Sequence, residues 1–66
     1  MGEHEMRAII RAGSEARARG RCAFDNPYLP NTLRRNADRY SISSWPFPAK
    51  AWHNGWLLED AVREGR

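Results

Sequence analysis

The chain has 66 residues, a formal net charge of +3 and a mean hydropathy of −0.82, so it has room for one small polar domain. Its single cysteine excludes an internal disulfide, and no apolar run approaches the roughly 20 residues of a membrane-spanning helix. The first residues lack the pattern of a signal peptide. We therefore expect one cytoplasmic domain over residues 1–66 with no membrane partner.

Positive charge is concentrated in the middle of the chain. Residues 7–50 hold nine arginine or lysine residues and three carboxylates, and ten of the eleven cations in the chain are arginine. Because the planar guanidinium suits bidentate contacts to phosphate, this composition favours a nucleic-acid partner. A GC-rich genome, which also raises arginine content, is the alternative explanation.

The first predicted element is a helix over about residues 3–20, because apolar and small residues recur there at spacings of three or four. The predicted inward face carries Met6, Ile9, Gly13, Ala16 and Gly20. The predicted outward face carries Arg7, Arg11, Arg17 and Arg21, which either contact phosphates or are simply solvated. The glycines predict a close approach, and we expect a large side chain across Gly13 and Ala16. Gly20 has a helix C-cap as its alternative role.

Two prolines make residues 25–30 a predicted turn, since proline cannot continue a helix. Asn31 is then the expected cap of a short third helix over about residues 31–40. The spacing places Leu33, Ala37 and Tyr40 on its inner face. The outer face is expected to carry Arg34, Arg35 and Arg39.

Alternating prolines and aromatic residues predict a second break over residues 41–48, with rings that pack on the core. A last helix is expected from Pro48 or Ala49 to about Glu64, since proline is tolerated in the first helical turn. Its predicted buried residues are Ala51, Gly55, Leu58 and Val62, with Trp52 and Trp56 beside them. The expected fold class is all-α, with main helices over about 3–20 and 48–64 packed together.

Residue types that support catalysis are scattered along the chain. Cys22 and His53 form a conceivable pair, but no third group is identifiable to orient them, and we expect Cys22 to be a buried core residue. Glu59 and Asp60 are adjacent, so on a helix they point about 100° apart and do not form a facing acid/base pair. We expect no catalytic residue, no metal site and no cofactor.

Several of these residues occur together in a recognisable order. The pattern joins a helix with spaced small residues that ends in Gly20-Arg21, a Pro27-Tyr28 turn, and Trp52-x-x-Gly55-Trp56 at the start of the last helix. This pattern resembles the ribosome modulation factor family and its phage-borne relatives. Two departures are an apparent insertion over residues 32–47 and Asn26 where family members commonly have cysteine.

The resemblance implies a non-enzymatic protein that binds the small ribosomal subunit, contacts its RNA and pairs ribosomes into translationally silent dimers by occlusion. The expected phosphate contacts are Arg7, Arg11, Arg17, Arg21, Arg34, Arg35 and Arg39. Gly20, Pro27, Tyr28, Trp52, Gly55 and Trp56 have expected roles that are mainly structural. We expect Tyr28 to close the turn over the indoles.

Two alternatives remain open. The first is a small phage or mobile-element inhibitor that engages an acidic host protein through its arginine-rich face. The second is DNA binding, for which the sequence shows no helix-turn-helix spacing.

Overall fold

The structure, a computed structural model, describes residues 2–36 and 39–65. Within these ranges every regular element is helical, so the predicted all-α class is confirmed. The three α-helices are α1 (Glu3–Ala18), α2 (Asn31–Arg35) and α3 (Phe47–Arg63). Two short 3₁₀ helices, Ala23–Asp25 and Ile42–Ser44, lie in the connection between α1 and α3. The two main helices pack together as expected.

Gly20 determines where α1 ends. It has a φ of +82°, a conformation in which a Cβ would be strained. The amide of Gly20 donates to the carbonyl oxygen of Arg17 at 2.9 Å, and the amide of Arg21 donates to that of Ala16 at 2.9 Å. These two hydrogen bonds form a Schellman motif, which satisfies carbonyls at the helix end. Gly20 is therefore the C′ residue of α1 and not part of its buried face, where the periodicity placed it.

The helices α1 and α3 touch through two glycines. A Cβ on Gly13 would overlap the backbone carbonyl of Trp52, and a Cβ on Gly55 would overlap the backbone carbonyl of Ile10. Backbone thus meets backbone on both sides of the contact. The close approach predicted at Gly13 is present, but a carbonyl group and not a large side chain lies against it.

Apart from the contact of Gly13 with Trp52, the contacts between α1 and α3 advance together along both helices. Ile10 lies against Gly55, Ser14 bonds to Glu59, and Arg17 bonds to Asp60. The two helices therefore run in the same general direction. A parallel helix pair requires the intervening chain to return along its length, about 24 Å for a helix as long as α1. The described residues between α1 and α3, 19–36 and 39–46, belong to this return.

Two small groups of buried residues form the core. The first joins Ile9 of α1 to Ala51 and Trp52 of α3, where Trp52 is only 3% exposed. In the second, Leu29 and Trp45 of the connection pack on Ala49. The rings predicted to cover the core therefore do so only in part, because Trp45 is buried whereas Phe47 is exposed.

Asn26 fixes the connection to α3. Its side chain is completely buried; Nδ2 donates to the carbonyl oxygen of Ala49 at 2.8 Å, and Oδ1 accepts from the amide of Tyr28 at 3.0 Å. The second bond forms an Asx turn, which bends the chain at Pro27. The residue at which the chain departs from the family pattern is thus a structural anchor of the turn.

The helix predicted over residues 31–40 corresponds to α2 and is shorter than predicted. It begins at Asn31 after Pro30 as the N-cap residue, so Asn31 does not cap it, and it ends at Arg35. The side chain of Asn36 donates to the carbonyl oxygen of Thr32 at 2.8 Å. Such a local bond competes with helix continuation. Tyr40, predicted to face inward, is exposed, and Ala37 lies outside the described residues.

The buried face of α3 also differs from the prediction beyond Gly55. Leu58 is 59% exposed and Val62 is 74% exposed, so their assignment to the core is wrong. Glu59 and Asp60 face α1 instead and bind Ser14 and Arg17. Past the glycine contact, the two helices are therefore joined by polar groups.

Candidate nucleic-acid interface

The structure divides the predicted phosphate-binding arginines into groups. Arg17 lies between the helices and not on the outer face of α1. Its Nε donates to Asp60 Oδ1 at 2.9 Å, its Nη2 donates to Glu64 Oε1 at 3.3 Å, and its guanidinium lies 5.6 Å from the centre of the Trp56 ring. The predicted outward position of Arg17 is wrong, because residues 6 and 17 project within about 20° of each other at 100° per residue.

Arg34 also has a position within the fold. Its Nη2 donates to the carbonyl oxygen of Asn26 at 2.8 Å and approaches that of Leu29 at 3.5 Å. The side chain therefore closes the turn that precedes α2. Like Arg17, it holds protein groups together with the planar donor set that was expected to contact phosphate.

Four predicted arginines extend into solvent without such partners. Among the described residues, no hydrogen bond or ion pair engages the exposed side chains of Arg11, Arg21, Arg35 and Arg39. Arg19 has the same properties and was not predicted. It follows the last residue of α1, Ala18, as the C-cap residue.

Arg7 is intermediate between these groups. Its Nη2 lies 2.8 Å from Glu3 Oε1, and both side chains are 70% exposed. An exposed ion pair one helical turn apart is weak and screened by salt. A stronger anionic partner would therefore compete readily for Arg7.

Three aromatic side chains of the connection and α3, those of Trp45, His53 and Trp56, pack against one another in a row. His53 packs edge-on against Trp45, with centroids 5.2 Å apart, and stacks on Trp56 at 6.2 Å and an interplanar angle of 9°. Trp56 Nε1 donates to the carbonyl oxygen of Arg21 at 2.8 Å, which fixes the chain after α1. The ring stacked on Trp56 is therefore that of His53. Tyr28, which was expected to close the turn over the indoles, is 42% exposed.

The motif residues of the resemblance thus have identifiable places in the fold. Gly20 ends α1, Gly55 lies at the helix contact, Trp52 is core and Trp56 joins α3 to the end of α1. Pro27 follows the anchored Asn26 and is exposed. Of the residues predicted to contact phosphate, the exposed arginines are the ones that remain available to a partner.

The residues considered for catalysis lie in separate environments. Cys22 is exposed, which contradicts the prediction of a core residue; its Sγ accepts from the amide of Phe24 at 3.5 Å and caps a 3₁₀ helix. His53 is buried and its Nδ1 has no hydrogen-bond partner among the described residues. Burial lowers the pKa of His53 below its ordinary value of 6.5. Its side chain is therefore neutral near neutral pH.

Neither a metal site nor a membrane span is found in the part of the chain that the structure describes. There, histidine, cysteine, aspartate and glutamate do not form a group of three able to hold a metal ion. The helices of residues 2–36 and 39–65 are too short or too polar to cross a bilayer.

No protein-family model matches the chain, and neither a curated protein nor a solved structure matches it. The resemblance to the ribosome modulation factor family therefore stays a prediction from the residues quoted above.

Proposed function

We propose that the protein binds structured RNA, with the small ribosomal subunit as its target, and acts by occlusion without chemistry. The observation that supports this proposal most is the set of exposed arginines that have no partner among the described residues. It consists of Arg11, Arg19, Arg21, Arg35 and Arg39.

The arginines that already pair with carboxylates can be separated from those that are available to RNA. The acidic residues of α3 pair with Arg17 and Arg63, and Glu3 pairs with Arg7. The remaining arginines are not engaged in ion pairs, and unpaired guanidinium groups attract a polyanion and add affinity for each phosphate neutralised. Arg17 and Arg34 are left out of the proposed contacts because their guanidinium groups already bind protein atoms.

Variant binding tests the proposal directly. Arg19→Gln, Arg21→Gln, Arg35→Gln and Arg39→Gln are combined, and the affinity for purified small ribosomal subunits is measured by fluorescence anisotropy. We expect the combined variant to bind at least about a hundredfold more weakly, since each phosphate contact contributes a favourable charge-assisted interaction. Its helical circular dichroism should be unchanged, because these side chains are exposed.

Arg63→Gln provides the matched control. Arg63 is an exposed arginine engaged with Glu59 at 3.0 Å, so its replacement should change RNA affinity little compared with Arg21→Gln. Equal losses for Arg63→Gln and Arg21→Gln would show that only net charge matters. Equal affinity of the wild-type protein for duplex DNA would contradict selectivity for RNA, which rests on helix shape and the 2′-hydroxyl.

Ribosome pairing is the second part of the proposal. Purified ribosomes are incubated with the protein and separated by sucrose-gradient sedimentation. The wild-type protein should increase the dimer fraction and the combined arginine variant should not. Binding without any shift from monomers to dimers would retain RNA recognition and refute pairing.

A further inference from the structure

The surface beside the contact of α1 and α3 holds two adjoining depressions. The larger has a volume of about 520 Å³ and the smaller about 370 Å³, and Ile10 lines both. Their apolar walls come from both helices and from the second 3₁₀ helix. We call this surface the apolar groove, and its main apolar residues are Met6, Ile10, Ile42, Phe47, Leu57 and Leu58.

The apolar groove leaves large side chains in contact with water. Phe47 and Leu58 are each more than half exposed, and Ile42 and Leu57 nearly so. Apolar side chains that lie together on the surface with charged groups at their edge are typical of interaction sites. Leu57 and Leu58 belong to neither of the two buried groups that form the core.

The charged side chains that line the apolar groove are all cations, and the nearest carboxylates, Glu3 and Glu59, are already bonded to Arg7 and Ser14. Lys50 lines the larger depression and Arg11 the smaller, and neither makes an ion pair with another described residue. Arg7 also lines the smaller depression and pairs with Glu3. Among the described lining residues of both depressions there is no carboxylate. A matching partner must therefore combine apolar side chains with negative charge.

We infer that the apolar groove binds an acidic amphipathic helix of a partner protein. Apolar side chains one helical turn apart would fill the two adjoining depressions, while carboxylates flank them and face Lys50 and Arg11. RNA fits this surface less well, because a phosphate backbone offers no aliphatic side chains to fill it. A second copy would bring the same cations against Lys50 and Arg11, and like charges repel.

The test uses a fluorescein-labelled helical probe peptide with leucine at positions i, i+4 and i+7 and glutamate at the flanking positions. One companion peptide carries lysine in place of glutamate, and another carries glutamine in place of leucine. We expect the glutamate peptide to bind the wild-type protein at least about tenfold more tightly than either companion. Equal binding of the lysine peptide would overturn the charge assignment, and equal binding of the glutamine peptide would overturn the apolar anchors.

Exposed leucines of α3 supply the variants. Leu57→Gln and Leu58→Gln should each weaken peptide binding about tenfold or more, whereas Val62→Gln should leave it unchanged. Val62 is the matched control because it is 74% exposed on the same helix and lines neither depression. Unchanged affinity in both leucine variants refutes the inference. Dimers in sedimentation equilibrium that Leu58→Gln dissociates would assign the groove to a second copy and also refute it.

The inference shares only Arg11 with the proposed RNA contacts, and variants at the other residues separate the two. Leu57→Gln should leave the affinity for ribosomal subunits unchanged, and the pair Arg19→Gln and Arg21→Gln should leave peptide affinity unchanged. If the wild-type protein binds the peptide but not RNA, the proposed function fails and the groove assignment stands. If the protein binds RNA but not the peptide, the groove assignment fails and the proposed function stands.

Discussion

The glycine contact between α1 and α3 yields the sharpest prediction about the fold. On an exposed helix, Gly→Ala stabilises by about 1 kcal/mol because alanine has the higher helix propensity. At Gly13 and Gly55 the added methyl group would overlap a backbone carbonyl of the other helix, and backbone has no alternative rotamer. We therefore expect Gly13→Ala to destabilise the protein.

The magnitude follows from the cost of overpacking. Extra methylene groups in a packed core cost about 1–3 kcal/mol, and a clash with backbone belongs at the upper end of that range. After subtracting about 1 kcal/mol for helix propensity, each variant should lose about 2 kcal/mol. For a domain of this size, that loss lowers the Tm by on the order of 10 °C.

Thermal and urea unfolding followed by circular dichroism at a helical wavelength measures this effect. Gly2→Ala is the control, since Gly2 has an ordinary φ of −80° and a methyl group added there would have no neighbouring atom within 4 Å. Gly13→Ala combined with Gly55→Ala should cost less than the sum of the single changes, because helices already forced apart no longer clash at the second site. A Gly13→Ala variant as stable as the wild type would refute the close helix contact.

Three further experiments test individual residues. Asn26→Ala should lower the free energy of unfolding by about 2 kcal/mol, because two hydrogen bonds at a buried site are lost. Urea unfolding measures this loss, and unchanged stability of the variant would contradict the anchoring role of Asn26. Cys22 should react completely with a thiol reagent in the native protein, because it is exposed; reaction only after denaturation would show that it is buried. Since burial lowers the pKa of His53, stability should fall as the pH drops below about 6.5 toward the folded-state pKa. His53→Phe should reduce that pH dependence in thermal melts, and an identical dependence in the variant would contradict its origin at His53.

Local patterns predicted the two main helices well because their determinants lie within a few residues. The apolar spacing located α1 and α3 to within one or two residues at each end, and the glycine at position 20 was recognised as a possible C-cap. The helix predicted over residues 31–40 was overextended, since α2 ends at Arg35 and Asn36 is its C-cap residue, whose amide and side chain both donate to the carbonyl oxygen of Thr32.

Errors in the candidate site arose from contacts between distant residues. Arg17 pairs with Asp60 across 43 positions of the chain, and no local pattern indicates that partner. The same contact turns the polar side of α3 toward α1 and leaves Leu58 exposed. Periodicity identifies an apolar face but not which part of it a second helix covers. Arg19 was not predicted as a contact, and the structure places it just past the end of α1 as the exposed C-cap residue.

The salt dependence of RNA binding tests the central claim most directly. The dissociation constant for ribosomal RNA is measured by fluorescence anisotropy over a series of salt concentrations, for the wild-type protein and for Arg19→Gln combined with Arg21→Gln. If the five unpaired arginines each neutralise a phosphate, the logarithm of affinity should fall against the logarithm of salt concentration with a slope of about −3.5 to −4.5. The variant should lose about 1.4 to 1.8 units of that slope. A slope near zero, or an identical slope in the variant, would contradict the account.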